Sequence, residues 1–191
     1  MANKGKLIII SAPSGSGKST IIGQIINDPE LRLEFSVSAT TRPPRKGETD
    51  GKEYYFLSER QFRDAIAADK FAEYQEVYPG RFYGTLKSEI ERIVSHGCNV
   101  MLDLDVLGGI NVKKIYGEDA LSIFIMAPSV DVLRERLLAR GTDSIDDINK
   151  RVEKAEFEIS FAPQFDECVV NDILETAVAR ARTVITDFIK H

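Results

Sequence analysis

Lys6-Leu-Ile-Ile-Ile-Ser-Ala-Pro-Ser-Gly-Ser-Gly-Lys-Ser-Thr20 joins four aliphatic residues, Leu7 to Ile10, to a small turn-forming run and then to Ile21, Ile22, Ile25 and Ile26. Four consecutive aliphatics suit a strand buried on both faces, and the later isoleucines recur at helical spacing. The stretch is therefore strand, loop, helix. Glycines in such a loop let backbone N–H groups converge on an anion, and the positive end of the following helix points at the same place. Lys18 is placed to reach outer phosphates and the Ser19 hydroxyl to help hold Mg²⁺. Gly17, Lys18 and Ser19 fit the pattern G-x-x-x-x-G-K-[ST], whereas Ala12 stands where the first glycine belongs. An alanine methyl is tolerated there if φ is negative.

Outward from this stretch, strands and helices alternate. Phe35 to Thr41 alternates apolar and small polar residues like a short strand and runs into Arg42-Pro-Pro-Arg45-Lys46-Gly47. The two prolines stiffen that loop, which presents Arg42 and Arg45 suitably for a phosphate; a solvated basic turn is the plain alternative. Tyr54 to Leu57, Phe71 to Val77 and Phe82 to Thr85 predict short strands of a small antiparallel lobe, with a helix capped at Ser58 between them. The α/β pattern resumes with an amphipathic helix stopped by Gly97 and a buried strand, Val100 to Asp105, that ends in the carboxylates Asp103 and Asp105. An aliphatic strand ending in Asp completes the magnesium site of enzymes with such a loop. A helix to Tyr116, a strand from Leu121, helices from about Val130 and Ser144, a strand at Glu167 to Val170 and a closing helix follow. The expected fold class is α/β: a P-loop NTPase-type parallel sheet with helices on both faces, a small inserted mixed β/α nucleotide-binding lobe and a helical lid. The boundaries are 1–35, 88–141 and 155–191 for the core, 36–87 for the lobe and 142–154 for the lid.

A chain of 191 residues with this pattern builds one domain that needs no disulfide staples. Cys98 and Cys168 each adjoin an apolar run, which favours buried reduced thiols. A net charge of −5 argues against a general nucleic-acid binder, and no window approaches the length of a membrane span. The expectation is a cytoplasmic protein with small-molecule partners, no nucleic acid and no membrane. Monomer and homodimer both remain open.

Over nearly its whole length the chain resembles the guanylate kinases. The resemblance rests on Ser14-Gly-Ser-Gly-Lys-Ser-Thr20, Ser36-Val-Ser-Ala-Thr-Thr-Arg-Pro-Pro-Arg-Lys-Gly-Glu48, Asp50-Gly-Lys-Glu-Tyr54-Tyr-Phe56, Phe82-Tyr-Gly-Thr85, Asp103-Leu-Asp105 and Arg140-Gly-Thr142, in this order and spacing. It implies a core that carries ATP, a lobe that binds GMP, a lid over the phosphates, and the Mg²⁺-dependent reaction ATP + GMP giving ADP + GDP. It implies ATP binding by Ser14, Gly15, Ser16, Gly17, Lys18, Ser19 and Thr20. The GMP phosphate is assigned to Arg42 and Arg45 with Tyr54 and Tyr83, and the guanine base to Glu73 with Ser38 and Thr85. Asp103 is assigned to the acceptor side and, with Ser19, to magnesium, directly or through water. Arg136, Arg140 and Arg151 are expected to converge with Lys18 and Arg42 on the transferred phosphoryl.

Chemistry supports the assignment of Glu73. Guanine presents N1–H and a 2-amino group as adjacent donors, which one carboxylate meets together, whereas adenine offers a lone pair at N1 and no 2-amino group. Glu76 lies three residues along the same strand and faces the other way, as Tyr55 does beside Tyr54. Arg136 and Arg140 share one helix face at i,i+4 spacing, with Gly141 as a hinge before Arg151. The acceptor phosphate is already an anion, so no strong general base is needed. Many guanylate kinases have a glutamine and glycine soon after the paired aspartates, whereas this chain has Leu107 in Asp105-Val-Leu107-Gly108-Gly109. The alternatives are a scaffold domain of the same fold and a P-loop kinase for another small acceptor.

Overall fold

The computed structural model describes residues 5–139, 141 and 144–190. The elements in chain order are β1 (Leu7–Ser11), α1 (Lys18–Ile25), β2 (Leu33–Phe35), β3 (Ala39–Thr40), β4 (Tyr55–Phe56), α2 (Glu59–Ala67), β5 (Phe71–Tyr78), β6 (Arg81–Leu86) and α3 (Lys87–Ser95). They continue with β7 (Asn99–Asp103), α4 (Val106–Tyr116), β8 (Ala120–Met126), α5 (Val130–Ala139), α6 (Ile145–Ile159), β9 (Glu167–Val170) and α7 (Leu174–Lys190).

Five strands form an all-parallel sheet in the order β2-β7-β1-β8-β9. At its centre, β1 is buried at every position, as its unbroken aliphatic run requires. Alternation sends its side chains to two separate cores. Ile8 and Ile10 pack with Ile21, Ile22 and Ile25 of α1 and Ala177, Ala181 and Ile185 of α7. Leu7 and Ile9 pack on the other face with Ile90 and Ile93 of α3 and Val112 of α4. Burying each such aliphatic side chain stabilises the fold by about 1.5–3 kcal/mol, which anchors the sheet on both faces.

The inserted lobe is a four-stranded sheet in the order β4-β3-β6-β5. It is mixed and not wholly antiparallel, because β3 and β4 pair in parallel. Its core is small and aromatic: Phe62 of α2 stacks on Phe71 and Phe82 with centroids 4.3 and 5.2 Å apart. Ser58 and Gln61 complete the expected capping box. The single strand expected over 35–41 is divided, with β2 joining the large sheet and β3 the small one. Its apolar alternation thus belongs to two environments, joined where the chain crosses between sheets. The strand expected over 54–57 shortens to β4, leaving Tyr54 outside it. Tyr55 turns away from Tyr54, packs on the lobe core and donates from its hydroxyl to Glu89 of α3.

Both cysteines are free thiols, but Cys168 is exposed where burial was expected, because it occupies an outward position on the edge strand β9. Among the described residues no helix is long and apolar enough to cross a membrane.

Candidate active site

β1 ends at Ser11 and β7 at Asp103, so both deliver the chain to the same edge of the sheet. Between them the loop turns into α1 through Gly17, which caps the helix with φ 88°, a conformation that costs a side-chain-bearing residue about 1 kcal/mol or more. A Cβ on Gly17 would also lie 2.2 Å from Asn171 Nδ2, whose amide donates to the Ser16 carbonyl at 2.8 Å. No side chain caps α1, so its first N–H groups face the cleft without a side-chain acceptor. Ala12 is not in the left-handed region, which is why alanine serves there.

A cavity of about 520 Å³ opens over this loop and extends to the lobe. Its walls bring together Ser14, Gly15, Gly17, Lys18, Ser19 and Thr20 from the loop and α1, Ser38, Tyr54, Glu73 and Tyr83 from the lobe, Asp103 from β7 and Arg151 from α6. Lys18 Nζ pairs with the Asp103 carboxylate and donates to the Leu104 carbonyl at 3.4 Å. Arg151 Nη1 donates to Ser14 Oγ at 3.3 Å, tying α6 to the loop. Ser16 is buried behind the loop and does not line the cavity.

At the lobe end, Glu73 of β5 stands opposite Thr85 of β6, whose Oγ1 donates to Glu73 Oε1 at 2.9 Å. Alternation along β5 puts Glu73, Gln75 and Val77 on the cavity side. Glu76 lies on the opposite side, where its carboxylate accepts from the Gly80 N–H in the β5–β6 turn. Burial pushes the Glu73 carboxyl up to about 7; the Thr85 hydroxyl pulls it back, and Asp105 across the cavity raises it further. Burial also raises the Tyr54 hydroxyl, which therefore stays a donor, with its ring 6.0 Å from that of Tyr83.

Arg42 is not a solvent-presented arginine. It is buried, its guanidinium donating to both oxygens of Glu48 at 2.9 Å and lying near the rings of Tyr54 and Phe56. Glu48 also accepts the backbone N–H of Arg45 at 2.7 Å, so one carboxylate fixes both arginine positions of the proline-stiffened loop. The Arg45 side chain is exposed beyond the cavity wall. Arg136 projects from α5 toward the Asp172 carbonyl, at 3.5 Å, and is not in the cavity wall. Arg140 lies outside the described residues, as does Thr142 of the Arg140-Gly-Thr142 signature.

Several contributors escape a reading of the sequence. Lys154 and Glu158 continue the Arg151 face of α6 into the cavity, a placement that their i,i+3 and i,i+7 spacing from Arg151 could have signalled. The clamp of Glu48 on Arg42 follows no periodic rule, and neither does the support that Asn171 gives the loop from 155 residues away.

No group of three or more His, Cys, Asp or Glu side chains among the described residues is arranged to hold a metal by protein ligands alone. The Ser19 hydroxyl and Asp103 carboxylate are hard oxygen donors beside the phosphate loop, and they suit a magnesium ion that shares its shell with phosphate and water.

A phosphate loop with its lysine at one end of a cleft and a half-buried carboxylate on an inserted lobe at the other define a P-loop phosphotransferase with a second, polar acceptor site. The guanylate kinase family model matches residues 4–188. Guanylate kinases of Bacteroides fragilis and Porphyromonas gingivalis are each 55% identical, over 97% and 96% of this chain and 91% and 98% of their own. A crystal structure of guanylate kinase from Anaplasma phagocytophilum superposes with a TM-score of 0.73 at 30% identity, covering 97% of this chain and 86% of that one. The chain belongs to the guanylate kinase family, whose reaction is ATP-dependent phosphorylation of GMP.

If a guanine edge is met by the half-buried Glu73, GMP binding acquires a pH dependence of definite sign. Its folded value, about 7, lies above the 4.5 of an ordinary glutamate, so between these limits the folded protein binds the extra proton. Its stabilising effect is full below pH 4.5 and fades as pH rises to 7. A guanine edge with two donors needs the anion, so KM for GMP should rise about tenfold per pH unit below 7. Steady-state KM measured from pH 6 to 8 checks this. The GMP phosphate itself titrates near pH ~6, and the Glu73→Gln variant, which keeps that phosphate step and loses the other, separates the two.

Proposed function

We propose that this protein transfers the terminal phosphoryl group of ATP to GMP with Mg²⁺, giving ADP and GDP, and that it does so in the cytoplasm. The observation that carries the reading is a single cavity that has Lys18 and the α1 N-terminus at one end and Glu73 at the other, with Thr85 buried behind Glu73 and donating to it. ATP phosphates lie on the loop from Ser14 to Thr20, with Lys18 moving from Asp103 to the outer phosphates. GMP lies across the lobe, its base against Glu73, Thr85 and Ser38 and its phosphate toward Arg42, Arg45, Tyr54 and Tyr83.

Both reacting groups are anions, so the residues act by alignment and by charge. Arg42 arrives pre-oriented by Glu48, which lowers the ordering cost of meeting a phosphate with two parallel N–H bonds. Arg151 already touches the loop at Ser14. Arg136 is held by a 3.5 Å bond to the Asp172 carbonyl, and its proposed role over the transferred group requires the lid to swing at Gly141, which has φ +64°. Ser19 and Asp103 would hold magnesium, which would supply positive charge to offset that of the phosphates. ADP release from ATP and GMP should vanish with excess chelator and return on adding Mg²⁺. Phosphorylation of GMP that is indifferent to chelator contradicts the metal assignment.

A further inference from the structure

Gly108 and Gly109, adjacent in the first turns of α4, face different neighbours. A Cβ on Gly109 would lie 2.6 Å from Ser11 Oγ and 3.2 Å from Ile9 Cγ2, so that glycine lets α4 lie against β1. A Cβ on Gly108 would lie 3.1 Å from Glu73 Oε2 and 3.6 Å from Glu73 Cδ. The backbone does not demand glycine there: Gly108 is outside the left-handed region, and its N–H is bonded to Asp105 Oδ1 at 2.8 Å in ordinary N-capping fashion. Alanine is the better helix former at such a position. What the glycine provides is room for the Glu73 carboxylate first and, at 3.3 Å, for Oδ1 of Asp105, the residue that caps α4.

Glu73 is therefore held from two sides. Thr85 Oγ1 fixes Oε1 at 2.9 Å, and the bare Cα of Gly108 sets how far Oε2 can retreat. A methyl group at 3.1 Å is closer than side chains ordinarily pack, and the Thr85 bond leaves rotation about Oε1 as the carboxylate's way of giving. Such a rotation takes Oε2 out of the plane in which two parallel N–H donors are met, and a tolerance of about 0.5 Å and 10–20° governs such recognition.

We propose that Gly108 is a positioning residue for guanine recognition: its missing side chain sets the depth and plane of the Glu73 carboxylate. The proposal rests on the reading that Glu73 meets the guanine edge. Gly108→Ala is expected to raise KM for GMP about tenfold, the loss of one bond to a charged group, with KM for ATP within twofold and Tm unchanged or higher. The preference for GMP over inosine monophosphate, which lacks the 2-amino donor, should shrink in the same variant. Combining Gly108→Ala with Glu73→Asp, which withdraws the carboxylate by one methylene, should cost less than the two changes summed. Gly109→Ala should instead lower Tm without a selective effect on GMP. A Gly108→Ala KM for GMP within twofold of the parent, while Glu73→Gln lowers kcat/KM for GMP by roughly 10³ or more, overturns the positioning role and leaves the base-reading role intact. GMP use unchanged in Glu73→Gln overturns both. A loss of Tm in Gly108→Ala as large as in Gly109→Ala, not relieved by Glu73→Asp, would mark the position as packing alone.

Discussion

Glu73→Gln is expected to lower kcat/KM for GMP by roughly 10³ to 10⁴ while leaving the protein folded. The substitution keeps the shape of the side chain and an oxygen to accept from Thr85, but it turns one acceptor toward guanine into an N–H₂ donor. Two donors then face each other in a partly buried pocket, where an unmatched polar group carries its full desolvation cost. Stability should move the other way, because the amide has no charge to strip of water at neutral pH, whereas burial already holds the Glu73 carboxyl near 7. Kinetics and thermal unfolding of the same sample check both signs. GMP kinetics within about threefold of the parent would remove Glu73 from the acceptor site.

The second large effect is at the opposite end of the cavity. Lys18→Met is expected to reduce kcat by about 10³ with both substrates saturating, because in the proposed reaction the ammonium meets charge that grows on the transferred phosphoryl. It also removes the partner of the Asp103 carboxylate at the end of β7. Asp103 is not fully buried, its side chain being 31% exposed, so water can take the place of the ammonium and the fold should tolerate the change. Single-turnover measurement of the chemical step distinguishes this loss from weaker ATP binding. A variant that keeps its rate and only raises KM for ATP would reduce Lys18 to a binding role.

How much of this is legible in the sequence differs from one element to the next. The β1–loop–α1 unit is fully legible, because Leu7 to Ile10 are buried on two faces and the helix spacing of Ile21, Ile22 and Ile25 meets one of them. The lobe is legible as short strands, but not in its pairing. Two-residue strands such as β3 and β4 carry too little pattern to tell parallel from antiparallel, and the crossing at Ser36 to Ser38 looks like a continuous strand. Glu73 taken alone resembles any strand carboxylate facing water. Its environment is made by α4, whose Gly108 arrives from 35 residues further along the chain, and only the family resemblance pointed to it beforehand. The sequence offers Arg42 as a candidate for a phosphate but not its burial, since its contact with Glu48 depends on how the proline-stiffened loop closes on itself.

In the proposed reaction one cleft holds ATP on the Lys18 loop and reads guanine at Glu73. The most direct measurement is ADP release with Mg²⁺-ATP and, in turn, GMP, AMP, UMP, CMP and dTMP as acceptors, each taken to kcat/KM. The account predicts turnover with GMP and values for the other four lower by roughly 10⁴ or more, since none presents two adjacent donors to the carboxylate together with the acceptor O6. Comparable turnover with AMP, or none with GMP from protein shown to be folded, would contradict it.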